Sequence, residues 1–93
     1  MEKEAELQSI SKENKLKLKV IYSYNLTKLD KSTKVRFVYV LKGRPGEKGI
    51  VENMGGEFLA PGCFILPYTK DKEMSEVFKL WKVKARRIIV LTD

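Results

Sequence analysis

The sequence predicts an α+β fold in which a four-stranded antiparallel sheet carries two helices on one face. Three observations indicate this class. Apolar and polar residues alternate over residues 16–24, apolar residues near the C-terminus recur at helical spacing, and short apolar runs between them are bounded by glycine and proline. The 93 residues are enough for one domain. We expect that domain to span residues 15–93, after a flexible acidic tail over residues 1–14.

The first element is predicted to be a strand with one buried face. In LKLKVIYSY, residues 16–24, every second residue is apolar. A period of two is typical of a strand that covers a core on one side. The other side of this strand would present Lys17 and Lys19. The alternating apolar residues are Leu16, Leu18, Val20, Tyr22 and Tyr24.

The sequence of the second element is compatible with either a helix or a strand. Residues 33–42, TKVRFVYVLK, are rich in valine and aromatic residues, which favour a strand. However, Asp30 or Ser32 can cap a helix before this segment, and Gly43 follows it directly, as at the end of a helix. We therefore predict a helix. A strand at this place would instead give a small β-barrel or a curled sheet with one helix.

Glycine and proline divide the middle of the chain. RPGEKG, residues 44–49, is predicted to be a loop, and residues 50–53 are predicted to form a short strand. The Gly-Gly and Pro-Gly pairs that follow are expected to turn the chain. CFILPY, residues 63–68, is a continuous apolar run and is predicted to be a strand whose proline limits its pairing.

The last two elements are a helix and a strand. Met74, Val77, Phe78 and Trp81 stand at helical positions i, i+3, i+4 and i+7, with acidic residues before them and lysines after them. ARRIIVLT, residues 85–92, is predicted to be the final strand. The order of strand, helix, two strands, helix and strand is that of the split βαβ, or ferredoxin-like, fold.

Charge is the main indication of function. The net charge is +7, and residues 14–93 hold 17 basic and 8 acidic side chains. Such a field favours polyanions, so we expect a small protein that contacts the phosphate backbone of DNA or RNA. The alternative is a lysine-rich surface that serves solubility, and the composition is also typical of thermophiles. The candidate phosphate contacts are Lys17, Lys19, Lys34, Arg36, Lys42, Arg44, Lys48, Arg86 and Arg87.

The glycine loop and the tyrosines offer further candidates. GRPGEKG, residues 43–49, places Arg44 and Lys48 on a backbone whose N–H groups can meet phosphate, but it lacks the ending of a Walker loop. Tyrosine rings can stack on unpaired bases, although most tyrosines in a small domain are core residues. The four candidates are Tyr22, Tyr24, Tyr39 and Tyr68.

Missing residue types exclude several kinds of chemistry. The chain has no histidine, and Cys63 is its single cysteine. The commonest general base, the serine triads, an internal disulfide and cysteine or histidine zinc sites are thereby excluded. We expect a non-enzymatic protein without a metal or cofactor. The enzymatic alternative is a degenerate nuclease that uses Glu52 and Glu57, the acids near the glycine turns.

One face of the predicted sheet retains apolar side chains. Residues that point away from the helices should include Ile21 and Ile65. In residues 88–91 one of the two alternating sets should also point away from the helices, and we place Ile89 in that set. Exposed apolar patches usually mark interfaces. We therefore expect a homodimer through the sheets. The alternative function is a protein-interaction module, or a subunit or regulator of a larger assembly.

No segment indicates a membrane protein. No apolar run approaches the roughly 18 residues of a membrane-spanning helix. The first ten residues, MEKEAELQSI, are acidic and lack the apolar core of a signal peptide. We therefore expect a soluble, cytoplasmic protein.

Two segments resemble a known family. VIYSYNL, residues 20–26, ends a strand with an aromatic-x-aromatic step, and GGEFLAPGCFILPY, residues 55–68, joins a glycine turn to an apolar strand that closes in Pro-Tyr. Both are similar to the small CRISPR-associated adaptation nuclease family and to the related ferredoxin-like domain of certain bacterial repressors. The resemblance implies a ferredoxin-like fold, a sheet-mediated dimer and contact with nucleic acid. Where that family usually carries an acidic metal ligand, this chain has the neutral Asn25, which implies that metal-dependent cleavage is lost.

Overall fold

A computed structural model describes residues 16–92, so the expected tail over residues 1–14 lies outside the described residues. None of the helices in the described part has the length and apolar character needed to cross a membrane. The elements in chain order are β1 (Lys17–Tyr24), α1 (Lys31–Lys42), the single helical turn α2 (Ile50–Asn53), β2 (Glu57–Ala60), β3 (Cys63–Pro67), a 3-10 turn (Tyr68–Lys70), α3 (Asp71–Leu80) and β4 (Ala85–Thr92).

The four strands form one antiparallel sheet in the order β2-β3-β1-β4. The first strand lies inside the sheet and pairs with β4 along its whole length. Val20, for example, stands opposite Leu66 of β3 on one side and Ile89 of β4 on the other. The expected α+β fold with a four-stranded antiparallel sheet is confirmed. Within the described residues the sheet is open, with β2 and β4 at its edges, and is not a barrel.

Residues 33–42, whose sequence is compatible with a helix or a strand, are helical, as predicted. Phe37 and Leu41 of α1 are fully buried, whereas Tyr39 between them is 43% exposed. A strand would place all three side chains on one face, so this burial pattern is that of a helix. Gly43 ends the helix, and its N–H donates to the carbonyl of Tyr39. Packing of two large side chains thus overrides the strand propensity of the segment.

The prediction of a short strand at residues 50–53 is wrong. The segment forms one helical turn, in which the N–H of Asn53 donates to the carbonyl of Gly49 at 3.1 Å. Val51 is buried on the inner side of that turn. Four residues are too few to reveal a helical period, and β-branched residues favour strands, so the local sequence indicated the wrong element.

The helices cover one face of the sheet around an aromatic core. Tyr22 of β1 stacks on Phe64 of β3 with ring centroids 5.3 Å apart, and Phe37 of α1 meets Phe78 of α3 edge-on at the same separation. Each strand and each helix contributes side chains to this core, so the core joins the sheet to the helices. The buried core residues are Val20, Tyr22, Phe37, Leu41, Val51, Phe64, Leu66, Met74, Phe78 and Val83.

The opposite face of the sheet carries an aliphatic row. Ile21 stands opposite Ile65 of β3 and Ile88 of β4, and Ile65 stands opposite Glu57 of β2. Ile88 is 48% exposed, and the other two isoleucines are partly buried. Ile89, which was expected on this face, packs against the core instead. The reason is the strand alternation, which puts neighbouring residues on opposite faces and leaves Ile88 on the open one.

Candidate nucleic-acid interface

The glycine loop, residues 43–49, folds back tightly on the end of α1. A Cβ atom on Gly43, whose φ is 82°, would collide with the backbone carbonyl of Glu47. A Cβ atom on Gly49 would collide with the backbone carbonyl of Leu41. Because backbone cannot move aside as a side-chain tip can, both positions require glycine. The loop is therefore held against the helix, and its basic side chains project beside the helix end.

A hollow of about 420 Å³ lies beside this loop, between α1 and the end of α3. We call it the basic hollow. Its cationic lining consists of Arg36 from α1 and of Arg44 and Lys48 from the loop, against the single acid Glu47. The excess of positive charge favours an anionic ligand. The remaining lining residues are Tyr39, Val40, Gly43, Gly49, Ile50 and Trp81.

Two aromatic side chains border the basic hollow. Tyr39 is 43% exposed, and the guanidinium carbon of Arg44 lies 5.5 Å from its ring centroid. This cation–π contact holds the arginine at the mouth of the hollow. Trp81 is partly buried, with its ring centroid 5.5 Å from that of Phe37. Exposed rings next to positioned cations are the groups with which proteins hold unpaired bases and phosphates.

Two other tyrosines belong to the core. The ring of Tyr24 meets that of Phe37 edge-on at 6.1 Å, and burial raises its pKa to about 12. Tyr22 is fully buried, and its burial, together with a hydrogen bond to Asp71, raises the pKa of its hydroxyl well above the ordinary value. The ring of Tyr22 is enclosed by the core and cannot stack on a base, whereas Tyr24 is partly buried and packs against the core.

Arg87, one of the predicted phosphate contacts, is engaged within the protein. Its guanidinium donates to both carboxylate oxygens of Asp71, through Nε at 2.9 Å and through Nη2. The same carboxylate accepts a hydrogen bond of 2.6 Å from the hydroxyl of Tyr22. The bond to Asp71 stabilises the charged guanidinium and raises the pKa of Arg87. This pairing commits Arg87 to Asp71 and ties the start of α3 to the sheet.

Three more predicted contacts lie away from the basic hollow. Lys17 and Lys19 line a separate depression of about 470 Å³ together with Tyr68. Lys42 lies over the aromatic core, with its ammonium group 5.0 Å from the ring centroid of Phe58. That distance is within the range of a cation–π contact, so Lys42 has a structural partner.

The last two predicted phosphate contacts also lie away from the basic hollow. Lys34 is partly buried on α1, and Arg86 lines a shallow depression at the start of β4. Neither residue lines the basic hollow. Of the nine predicted contacts, the structure therefore brings together three: Arg36, Arg44 and Lys48.

A second cationic hollow has none of the predicted contacts in its lining. We call this space of about 300 Å³ the lysine hollow; Lys28 from the β1–α1 loop and Lys82 and Lys84 from the α3–β4 loop line it. The sequence pattern that could have indicated this hollow is Lys-Val-Lys after a helix, because the buried Val83 directs its two neighbours outward. The other lining residues are Asn25, Thr27, Leu29 and Val83.

Acidic side chains are dispersed in the part of the chain that the structure describes. Among residues 16–92, no three histidine, cysteine, aspartate or glutamate side chains are grouped so that they could hold a metal ion. Glu52 and Glu57 are exposed on α2 and β2. At the end of β1, the side-chain oxygen of Asn25 accepts a 2.8 Å hydrogen bond from the N–H of Thr27. Asn25 therefore shapes the loop that carries Lys28.

Comparison of the chain with family models, with curated proteins and with solved structures finds no match. The resemblance to the CRISPR-associated nuclease family rests on residues 20–26 and 55–68 alone.

Proposed function

We propose that this protein binds single-stranded nucleic acid through its phosphate backbone and does not cleave it. The observation that carries the proposal is the basic hollow. Arg36, Arg44 and Lys48 are separated by up to 12 positions in the sequence, yet they line one depression with Tyr39 and Trp81. Cations and ring faces in one site are the combination that a strand of phosphates and unpaired bases requires.

The cations explain the preference for phosphate. Guanidinium groups present several donors in a planar fork that matches phosphate oxygens, and Arg44 is already positioned by its contact with Tyr39. One acid, Glu47, does not cancel the three cations of the hollow. Binding of this kind releases counterions from the ligand, so its affinity falls as the salt concentration rises.

The aromatic rings favour a single strand over a duplex. Bases in a duplex are stacked on one another and do not offer a free face, whereas an unpaired base can lie on the exposed part of Tyr39 or Trp81. Stacking is tolerant of sequence because every base has a flat face. The proposal therefore covers single-stranded DNA and RNA alike.

We also propose that the fold belongs to the ferredoxin-like class. The central position of β1 and β3 and the order β2-β3-β1-β4 support this assignment. A helix follows each of these two central strands, and the buried residues of both helices join one core cluster. These are the features of two interleaved βαβ units.

Fluorescence anisotropy with labelled single- and double-stranded DNA and RNA tests the binding proposal. The variant Arg36→Gln/Arg44→Gln/Lys48→Gln should bind single strands about 100-fold more weakly at 0.1 M salt, and its salt slope should decrease by about 2, since each phosphate contact contributes about 0.7. The wild type incubated with the same ligands and Mg²⁺ should leave them intact.

The matched control removes three charges elsewhere. The variant Lys31→Gln/Lys70→Gln/Lys72→Gln has the same net charge, but its positions do not line the basic hollow. It should keep most of the affinity of the wild type. Equal losses in the two variants would show that net charge alone attracts the ligand and would refute the assignment to the hollow.

A second candidate function, self-association, is favoured by the open face of the sheet. The row of Ile21, Ile65 and Ile88 ends in Glu57 at the β2 edge, and Arg86 lies on the same face at the β4 edge, two residues from Ile88. If two copies pack face to face about an axis parallel to the strands, the β2 edge of each lies over the β4 edge of the other. Glu57 then lies opposite Ile88 of the second copy, and Arg86 of that copy is about 7 Å further along the strand, within reach of the Glu57 carboxylate. The charges at the edges then complement the apolar centre.

The single cysteine provides a test of this pairing. Cys63 pairs with Ser23 on the open face, and the strand and sheet spacings put the two copies of Cys63 about 11 Å apart in such a dimer. A bis-maleimide of similar length should cross-link the wild type, and Ile21→Lys should abolish the product. Leu80→Lys, at a 79% exposed position on α3, is the control that should still cross-link. A wild type that sediments as a monomer would exclude the dimer.

A further inference from the structure

Lys82 has an unusual backbone conformation. Its φ of 57° lies in the left-handed region, and among residues 16–92 every other residue with a positive φ is glycine. The N–H of Lys82 donates to the carbonyl of Lys79, and the N–H of Val83 donates to the carbonyl of Phe78, at 3.1 and 2.9 Å. These two bonds form the Schellman motif, which requires a left-handed residue directly after a helix.

Glycine usually fills this position in the motif. A Cβ atom strains the left-handed conformation, and glycine has none. A lysine at position 82 therefore keeps a long cationic side chain where glycine would give a more stable backbone. Strain that is retained at one position is a reason to look for a role of that side chain. Within residues 16–92, the other positions with a positive φ are occupied by glycine: Gly43, Gly46, Gly55 and Gly62.

The side chain of Lys82 lines the lysine hollow with those of Lys28 and Lys84. All three residues are exposed, and no acidic residue is among those that line the hollow. Leu29, which packs against the core, and Val83, which is 8% exposed, anchor the two loops that carry the lysines. Three cations held around one space repel one another until an anion lies between them.

We propose that the lysine hollow binds a phosphate group of the same single strand that occupies the basic hollow. This inference rests on the function proposed above and extends it. Consecutive residues connect the linings of the two hollows, since Trp81 lines the basic hollow and Lys82 lines the lysine hollow. A strand with a base on Trp81 therefore has a phosphate within reach of the lysines. The ligand class is a strand of several nucleotides, since a mononucleotide occupies only one hollow.

The variant Lys82→Gly tests the proposal, because it removes the side chain and relaxes the backbone together. We expect its Tm to rise by about 4 °C. Its affinity for a labelled single strand of about 12 nucleotides should fall about fivefold at 0.1 M salt, with the salt slope lower by about 0.7. Weaker binding by a more stable protein cannot result from unfolding. Unchanged affinity and slope would overturn the proposal.

Two controls separate charge from backbone. Lys82→Asn removes the charge but keeps a residue that tolerates the left-handed conformation, so it should lose the same affinity as Lys82→Gly. Lys72→Gln removes one charge from an exposed position on α3 outside both hollows and should keep the affinity of the wild type. An equal loss in Lys72→Gln would overturn the proposal.

A triple variant distinguishes this inference from the function on which it rests. Lys28→Gln/Lys82→Gly/Lys84→Gln should bind the strand about 100-fold more weakly, and it should no longer gain affinity when the strand is lengthened from about 4 to 12 nucleotides. If the wild type binds no strand, both proposals fail. If the variant of the basic hollow loses affinity and the lysine variant does not, only the lysine hollow is refuted.

Discussion

The two long helices of this protein end in different ways. The first, α1, stops at Gly43 with φ 82°, and α3 is followed by Lys82 with φ 57°. Both residues have a positive φ, but their backbones differ. Gly43 also has a ψ of 166°, a combination that only glycine adopts readily, whereas Lys82 occupies the left-handed turn of a Schellman motif. Each helix end borders a cationic hollow, so the same kind of surface is built next to two different backbone turns.

The difference shows where each hollow obtains its charge. At Gly43 the next loop returns so closely that no side chain fits, and the cations come from neighbouring positions such as Arg44 and Lys48. After α3 the chain continues into β4 without folding back, so a side chain is sterically possible at the turn itself. A lysine there supplies charge directly, at the expense of backbone stability.

The largest expected effect is at the end of α1. Gly43→Ala should lower the free energy of unfolding by about 3 kcal/mol, because alanine is strained at φ 82° and ψ 166° and its Cβ atom collides with backbone. Urea denaturation measures this change. Gly46→Ala is the matched control, since it has φ 85° but open space around it, and should cost only about 1 kcal/mol. Equal costs would show that the collision is relieved by movement of the loop.

The second effect concerns two acidic residues at the beginning of α3. Asp71→Ala removes the partner of Arg87 and of the Tyr22 hydroxyl and should lower the free energy of unfolding by about 2 kcal/mol. Glu73→Ala removes an acid from the same turn, where its contact with Lys70 at 3.7 Å is exposed, and should change stability by less than about 0.5 kcal/mol. Thermal denaturation of both variants is sufficient, and similar losses would contradict a special role for Asp71.

The third effect has the opposite sign. Lys82→Gly should raise the free energy of unfolding by about 1 kcal/mol, because the left-handed residue loses its Cβ atom. Lys79→Gly, three residues earlier and inside the helix, should lower it by about 1 kcal/mol. Chemical denaturation of the pair gives the sign directly. A loss of stability in both variants would mean that the turn at Lys82 carries no strain.

The smallest effect concerns the last turn of each helix. Lys42→Gln should destabilise the protein by about 0.5 kcal/mol, since the ammonium group over Phe58 is lost. Lys79→Gln, at an exposed position in the last turn of α3, should be closer to neutral. The two midpoints in urea provide the comparison. If they coincide, the contact with Phe58 contributes nothing measurable.

Elements with a clear period were predictable from the sequence. The alternation in β1 and the helical spacing in α3 each extend over enough residues to decide between strand and helix. The turn at residues 50–53 was too short to show a period. The consecutive apolar residues of β4 did not reveal which set faces the core, so Ile89 was assigned to the wrong face.

The candidate site was predictable only in part, because charge is visible in a sequence and proximity is not. Arg36, Arg44 and Lys48 were recognised as cations, but their convergence depends on how the glycine loop closes. Arg87 finds its carboxylate partner 16 residues away, which no local pattern indicates. The left-handed conformation of Lys82 could not be predicted, because glycine, the residue that usually indicates such a turn in a sequence, is absent at this position.

The central position of β1 also has a consequence for synthesis on the ribosome. This strand is made first among the four, yet its partners are residues 63–67 and residues 85–92. Until those segments have left the exit tunnel, both edges of β1 are unpaired, and Val20 and Tyr22 have no sheet to complete their core. Pairing over such separations is slow compared with helix formation. The nascent chain is therefore expected to depend longest on protection against aggregation at its first strand.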